Sequence, residues 1–198
     1  MIQKNDKTEA ANDAEKNVTV EAVDWTENQN HDNDEIYIIN IDGSNRVRLT
    51  NNRKFDWFPA WDPMGRRVSF NSEQFGGQEL MLSLADGAGR IRITNAEKTY
   101  EQESVFSPDG KDLALIHRVG KDYRLALLDI ASRYLTVLTQ NKSDESPYFS
   151  PNGGMIIYAT NKDNKGILSI ISLHNNQSVE LMRADGELRE PSWSNYSN

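Results

Sequence analysis

Val105-Phe106-Ser107-Pro108-Asp109-Gly110 sets an aromatic residue directly before a chain reversal, and the same arrangement returns at regular intervals. Proline holds φ at about −65° on entry to such a turn, and glycine accepts the positive φ that lets the chain leave it. The related strings are Ala60-Trp61-Asp62-Pro63-Met64-Gly65, Tyr148-Phe149-Ser150-Pro151-Asn152-Gly153 and Ser192-Trp193-Ser194-Asn195. Their aromatic residues stand at 61, 106, 149 and 193, in steps of 45, 43 and 44 residues. That period is the length of one four-stranded propeller blade.

Turn residues cut each repeat into short strands. After the reversal comes an apolar run (68–70, 113–116, 155–158), then a second (79–84, 124–130, 167–173), which also precedes the first aromatic at 35–41. Tight Gly-, Asn- or Ser-containing turns lead to outer strands expected at 46–50, 90–94, 134–139 and 178–182. Alternation, β-branched residues and turn formers at the reversals are the marks of antiparallel meanders, and no window reads as an amphipathic helix. The expected class is therefore all-β, a β-propeller of about four blades built from four-stranded antiparallel sheets. Residues 17–25 alternate and supply the strand missing ahead of Glu35. A final strand at 190–194 would then complete a small closed ring, the other geometry being an arc of a larger six-bladed propeller.

The chain of 198 residues is 37% hydrophobic, enough for one core. Lys and Arg number 22 against 30 Asp and Glu, a net charge of −8, which disfavours nucleic acid and anionic lipid as partners. With no cysteine, thiolate metal sites, thiol nucleophiles and disulfides are excluded. The longest apolar run, residues 155–159, has five residues against the roughly 20 that cross a bilayer. Residues 1–34 hold three basic and nine acidic side chains, and residues 1–16 read as a disordered acidic tail ahead of a propeller domain at 17–198. No apolar block follows Met1, so no export signal is expected, and the location would be cytoplasmic if the chain is complete.

The repeat with Ser-Pro-Asp-Gly, the run 36–50 ending in Arg-Leu-Thr, and the segments 59–65, 104–110, 144–158 and 190–194 resembles the TolB-type, tryptophan-aspartate-like propeller repeat over residues 35–198. The resemblance implies a non-enzymatic periplasmic protein of the Tol-Pal system, which serves envelope integrity and cell division. It also implies that the propeller binds the peptidoglycan-associated lipoprotein. The family's α/β domain and some of its blades have no counterpart in these residues, so docking to TolA is not implied.

No nucleophile elbow, zinc-protease helix, phosphate loop or dinucleotide fingerprint occurs. His31, His117 and His174 fall in different repeats and read as surface or turn residues, without metal-ligand spacing. The acidic cluster at 31–35 lacks the central glycine and terminal glutamate of a calcium loop, and the segment 161–166 has a suitable glycine but puts Lys165 at a ligand position and Ser172 at the terminal one. Neither a catalytic residue, a metal nor a cofactor is expected. Strand direction gathers the longer loops on one face. There they offer Asp56, Trp57, Glu101, Glu103, Asp144, Glu145, Arg189 and Glu190, an acidic rim with one aromatic that is the expected partner-binding face. The competing functions are the regulatory propeller of a prolyl-oligopeptidase-type serine peptidase and a small-molecule or calcium-binding propeller.

Overall fold

The computed structural model describes residues 18–23, 33–94 and 101–194, which form strands and no helix. The tail at 1–16, Trp25, His31 and Asp32 lie outside the described residues. Two compact units divide the chain, Met1–Lys98 and Thr99–Asn198. In the first, β1 (Val18–Val23), β2 (Glu35–Asn40) and β3 (Val47–Arg48) make one sheet. A second sheet holds β4 (Asp56–Trp61), β5 (Arg67–Ser72), β6 (Glu79–Leu84) and β7 (Ile91–Arg92). The second unit repeats the plan with β8 (Glu101–Phe106), β9 (Asp112–Val119), β10 (Asp122–Asp129) and β11 (Leu135–Val137). Its other sheet holds β12 (Asp144–Phe149), β13 (Met155–Lys162), β14 (Lys165–Ser172) and β15 (Ser178–Asp185). Every sheet is an antiparallel meander in chain order, as the repeat predicts.

The reversal that marks the repeat is built the same way twice and with one substitution a third time. Ser107 Oγ donates to Asp109 Oδ1 (2.7 Å) and accepts from Asp112 N (3.0 Å), while Gly110, at φ 69°, donates its N–H to Ser107 O (2.8 Å). Ser150, Asn152 and Gly153 reproduce these bonds, with Ser150 Oγ 2.8 Å from Asn152 Oδ1. In the second sheet Asp62 takes the serine's place, accepting from Arg66 N (2.7 Å) and binding Arg67 Nε (2.8 Å). Each turn satisfies its own backbone, so it fixes the register of the hairpin that follows.

Strands next to the inner edge are buried on both faces. Residues 113–116 of β9 and 156–160 of β13 are buried without a break, which is why they read as apolar runs rather than alternation. In the first unit Ile36, Ile38 and Leu49 pack with Val68, Phe70 and Met81. In the second, Ala114, Ile116 and Leu125 pack with Phe149, Ile156, Tyr158 and Ile171. Both cores lie between adjacent sheets. Of the repeat's aromatic residues, Phe106 and Phe149 are buried, while Trp61 and Trp193 are half-buried. Burial stabilises by about 1.5–3 kcal/mol for each fully buried ring.

Three of the four outer strands are shorter than expected. The expected strands at 46–50, 90–94 and 134–139 contract to β3, β7 and β11, whereas the fourth extends to Asp185. In two of the short strands the last two amides crowd onto one carbonyl: Leu49 N and Thr50 N both approach Ile36 O, and Ile93 N and Thr94 N both approach Leu80 O. The ladder ends there, and a threonine side chain takes over. Thr50 Oγ1 accepts from Ile36 N (2.9 Å), Thr94 Oγ1 from Leu80 N (2.8 Å) and Thr139 Oγ1 from Leu125 N (3.1 Å). An acid at the head of the next sheet's first strand joins two of these threonines. Asp144 accepts from Thr139 Oγ1, from Leu125 N (3.0 Å) and from Asn141 Nδ2 (2.9 Å), and Asp56 interacts with Thr50, Ser72 and Asn52.

The fourth strand expected for the first sheet at 190–194 is not formed, and that sheet has three strands. Glu190 nevertheless has φ 51°, matching Phe58 (51°), Glu103 (51°) and Ser146 (53°), which sit in the register-shifting bulges of β4, β8 and β12. Residues 187–194 thus carry the bend of an inner strand without its ladder. This fourth copy of the reversal has neither the proline nor the glycine that registers the other hairpins.

The expected strand at 17–25 is present as β1, paired with β2 from Val18↔Asn40 to Val23↔Glu35. Deleting residues 1–23 should therefore bare the edge of β2 and lower the melting temperature or cause aggregation. Deleting residues 1–16 should leave the melting temperature at the parent value. Asp56 is wholly buried, and burial pushes its carboxyl above the ordinary value. Asp56→Ala is expected to cost about 1–3 kcal/mol in chemical denaturation by leaving its partners unsatisfied, and Asp56→Asn less. Because the folded-state pKa is raised, the parent should gain stability relative to Asp56→Asn as pH falls through that pKa, and lose it as pH rises.

Candidate functional site

The eight residues expected on one acidic rim separate by depth. Asp56, Glu101 and Asp144 are each first in an inner strand and are buried. Their expected place on an exposed rim is corrected by the structure. The loops end earlier than expected, and these carboxylates satisfy backbone and side-chain donors rather than facing solvent. Glu101 lies 3.2 Å from His117 Nδ1, and His117 is a half-buried residue of β9 rather than a surface histidine. His174 lies in an exposed turn as expected.

Four of the others gather in the second unit. A cleft of about 380 Å³ is lined by Glu103, Tyr123, Asp144, Glu145, Glu187 and Arg189 among others. Glu103 is anchored, its Oε2 accepting from Ser146 N across to the neighbouring sheet (2.5 Å). Glu145 has a partly open side chain 3.8 Å from Arg189, which is held more closely by Glu187 (2.8 Å). Burial pushes the Glu145 carboxyl up. Arg189 opposes that shift, and Glu103, Glu187 and Glu190 add to it. Glu190 is exposed. Four carboxylates around one guanidinium leave an excess of negative charge suited to a cationic ligand group.

The wall that carries Glu187 and Arg189 depends on one glycine. Gly166 N donates to Gly186 O (2.7 Å), and a Cβ at Gly166 would stand 2.5 Å from Gly186 O and 2.6 Å from Leu188 N. Only glycine lets the backbone at 186–188 cross so closely. The loop at 161–166, considered for calcium, is a two-residue hairpin turn with Asp163 and Asn164 at φ 56° and 60°. No grouping of three or more potential metal ligands occurs among the described residues.

In the first unit Trp57 is half-buried and contacts two exposed rings, Phe55 at a tilt of 51° (5.7 Å between centroids) and Phe58 edge-on (6.4 Å). Sequence reasoning singled out Trp57 but missed both phenylalanines. It also missed Glu187, which the repeat does not mark: the strand-heading acids stand two residues before the bulge, where this repeat has Leu188.

The chain matches the model described as "TolB beta propeller domain" over residues 23–197. The Tol-Pal system protein TolB of Ruthia magnifica subsp. Calyptogena magnifica is 59% identical over 86 residues, 43% of this chain and 20% of that protein. The corresponding protein of Pseudomonas aeruginosa is 37% identical over 101 residues, 50% of this chain and 23% of that one. The crystal structure of TolB from Acinetobacter baumannii superposes with a TM-score of 0.77 at 31% identity, covering 90% of this chain and 43% of that chain. A puromycin-hydrolysing peptidase of Mycobacterium tuberculosis shares the fold at a TM-score of 0.61 and 14% identity, over 76% of this chain and 24% of that chain. The aligned segments cover about a fifth of the length of these curated relatives. With the four-sheet repeat and a family match across residues 23–197, this chain belongs to the TolB beta propeller domain family.

Proposed function

We propose that this chain is a non-enzymatic, protein-binding propeller of the Tol-Pal cell-envelope system that meets its partner through the acidic loops of the second unit. The observation that carries the reading is the cleft at Glu103, Glu145 and Arg189, in a chain whose relatives bear the name Tol-Pal system protein TolB. By the family resemblance the partner is the peptidoglycan-associated lipoprotein, the compartment is the periplasm and the process is envelope maintenance during cell division. Carboxylates grouped around one arginine favour a cationic contact surface and speed its approach, with an effect that salt weakens. Glu145, Glu190, Arg189 and the anchored Glu103 are the contact residues. Buried Asp144 also lines the cleft. The regulatory propeller of a serine peptidase is the weaker alternative, because its neighbours share the fold at 14–18% identity.

Calorimetric titration of the chain with purified peptidoglycan-associated lipoprotein tests the reading. Removing both open carboxylates, in Glu145→Gln/Glu190→Gln, should weaken binding about tenfold at low salt, at up to about 1 kcal/mol per exposed charge pair. The difference should shrink as salt rises, and parent binding should weaken as pH falls through the raised pKa of Glu145. Equal affinities for parent and variant at low salt would remove the cleft from the interface.

A further inference from the structure

We infer that Phe55, Trp57 and Phe58 form an aromatic anchor for an acidic peptide segment with an apolar centre, carried by a protein partner. Trp57 contacts both phenylalanine rings, and Phe55 and Phe58 are 41% and 40% exposed. A contiguous aromatic cluster left in water is a feature of interaction sites, where such rings supply most of the contact energy.

The fold itself asks for none of these aromatics. Residues 57 and 58 occupy the bulge of β4, and the corresponding pairs in the other repeats are Gln102-Glu103, Glu145-Ser146 and Arg189-Glu190, all polar. Phe58 also stands at φ 51°, a left-handed conformation that a bulky side chain adopts at a cost in stability. A strained, solvent-facing ring where every other repeat has a polar residue points to a role outside the folded core.

Local charge selects the partner's chemistry. Arg53 and Lys54 precede the cluster, both exposed, and neither side chain is in an ion pair among the described residues. The acids nearby are largely withdrawn: Asp56 and Glu35 are buried, Glu35 pairs with Arg48, and Asp34 and Glu73, whose backbones bond those of Asp56 and Phe55, are half-buried. Exposed cations beside exposed rings match carboxylates flanking an apolar residue. An anionic lipid surface offers the same charge, but the net charge of −8 on the whole chain opposes it. The anchor lies in the first unit and does not rest on the acidic cleft of the second.

Fluorescence polarisation of the full chain with three labelled peptides tests the inference. All three share a Leu-Phe-Leu centre, flanked by Asp, by Ser or by Lys. The Asp-flanked peptide should bind most tightly. Trp57→Thr/Phe58→Glu should weaken it about tenfold or more, and Arg53→Glu/Lys54→Glu should reduce it to the level of the Ser-flanked peptide. Phe58→Asn should weaken binding while melting at or above the parent temperature, because asparagine tolerates positive φ. Glu145→Gln should leave this binding unchanged, which separates the anchor from the cleft. Equal binding of the three peptides, no binding, or an unaffected aromatic variant would overturn the inference. Retention on phosphatidylglycerol vesicles that is lost in Trp57→Thr/Phe58→Glu would overturn it in favour of a lipid surface.

Discussion

The fold depends on how the chain leaves the outer strand of one sheet and enters the inner strand of the next. Each crossing would bury polar backbone with no ladder to satisfy it, and an unsatisfied buried donor costs about 1–3 kcal/mol. Here the ladder ends early, and Thr50, Thr94 and Thr139 supply the acceptors that the amides of Ile36, Leu80 and Leu125 in β2, β6 and β10 still need. Asp144 closes the arrangement by binding the same Leu125 amide and the Thr139 hydroxyl. The polar link ties one sheet to the next beside an apolar interface made by Phe149, Tyr158 and Leu125. Packing supplies the attraction, and the link sets where the next sheet begins.

That division explains why acidic residues at similar places in the sequence have different roles. A carboxylate at the head of an inner strand is drawn inward, as Asp56, Glu101 and Asp144 are. One or two residues further on, the bulge turns the chain outward. Glu103 then reaches the neighbouring sheet and Glu145 reaches the cleft. The same bulge carries Phe58 in the first unit. One irregular backbone position thus places both the acidic group and the aromatic cluster, and the residue type placed there decides what each surface attracts.

Blade period, strand order and turn chemistry were legible because they rest on local signals. Gly110 and Gly153 accept positive φ, Ser107 and Ser150 bind their own turns, and the apolar runs lie where the doubly buried strands are. Burial of the strand-heading acids was not legible. Asp56 and Asp144 look like loop charges until their partners, distant along the chain or hidden in a threonine hydroxyl, are placed beside them. Strand formation at 190–194 was overestimated, since a matching aromatic and bulge do not supply a ladder partner. Positive φ recurs at 58, 103, 146 and 190, one repeat apart, and that spacing marks Phe58 as the apolar exception among polar residues.

The central claim is that a threonine and an acid act as one unit to join adjacent sheets, and a double-mutant cycle on Thr139 and Asp144 addresses it directly. Thr139→Val and Asp144→Asn, singly and together, should each destabilise the chain in chemical denaturation. Their coupling energy should be about 1 kcal/mol or more, in the range found for residues that share a hydrogen-bond network. Additive effects, with a coupling near zero, would mean that the two side chains act independently and that apolar packing alone sets the junction.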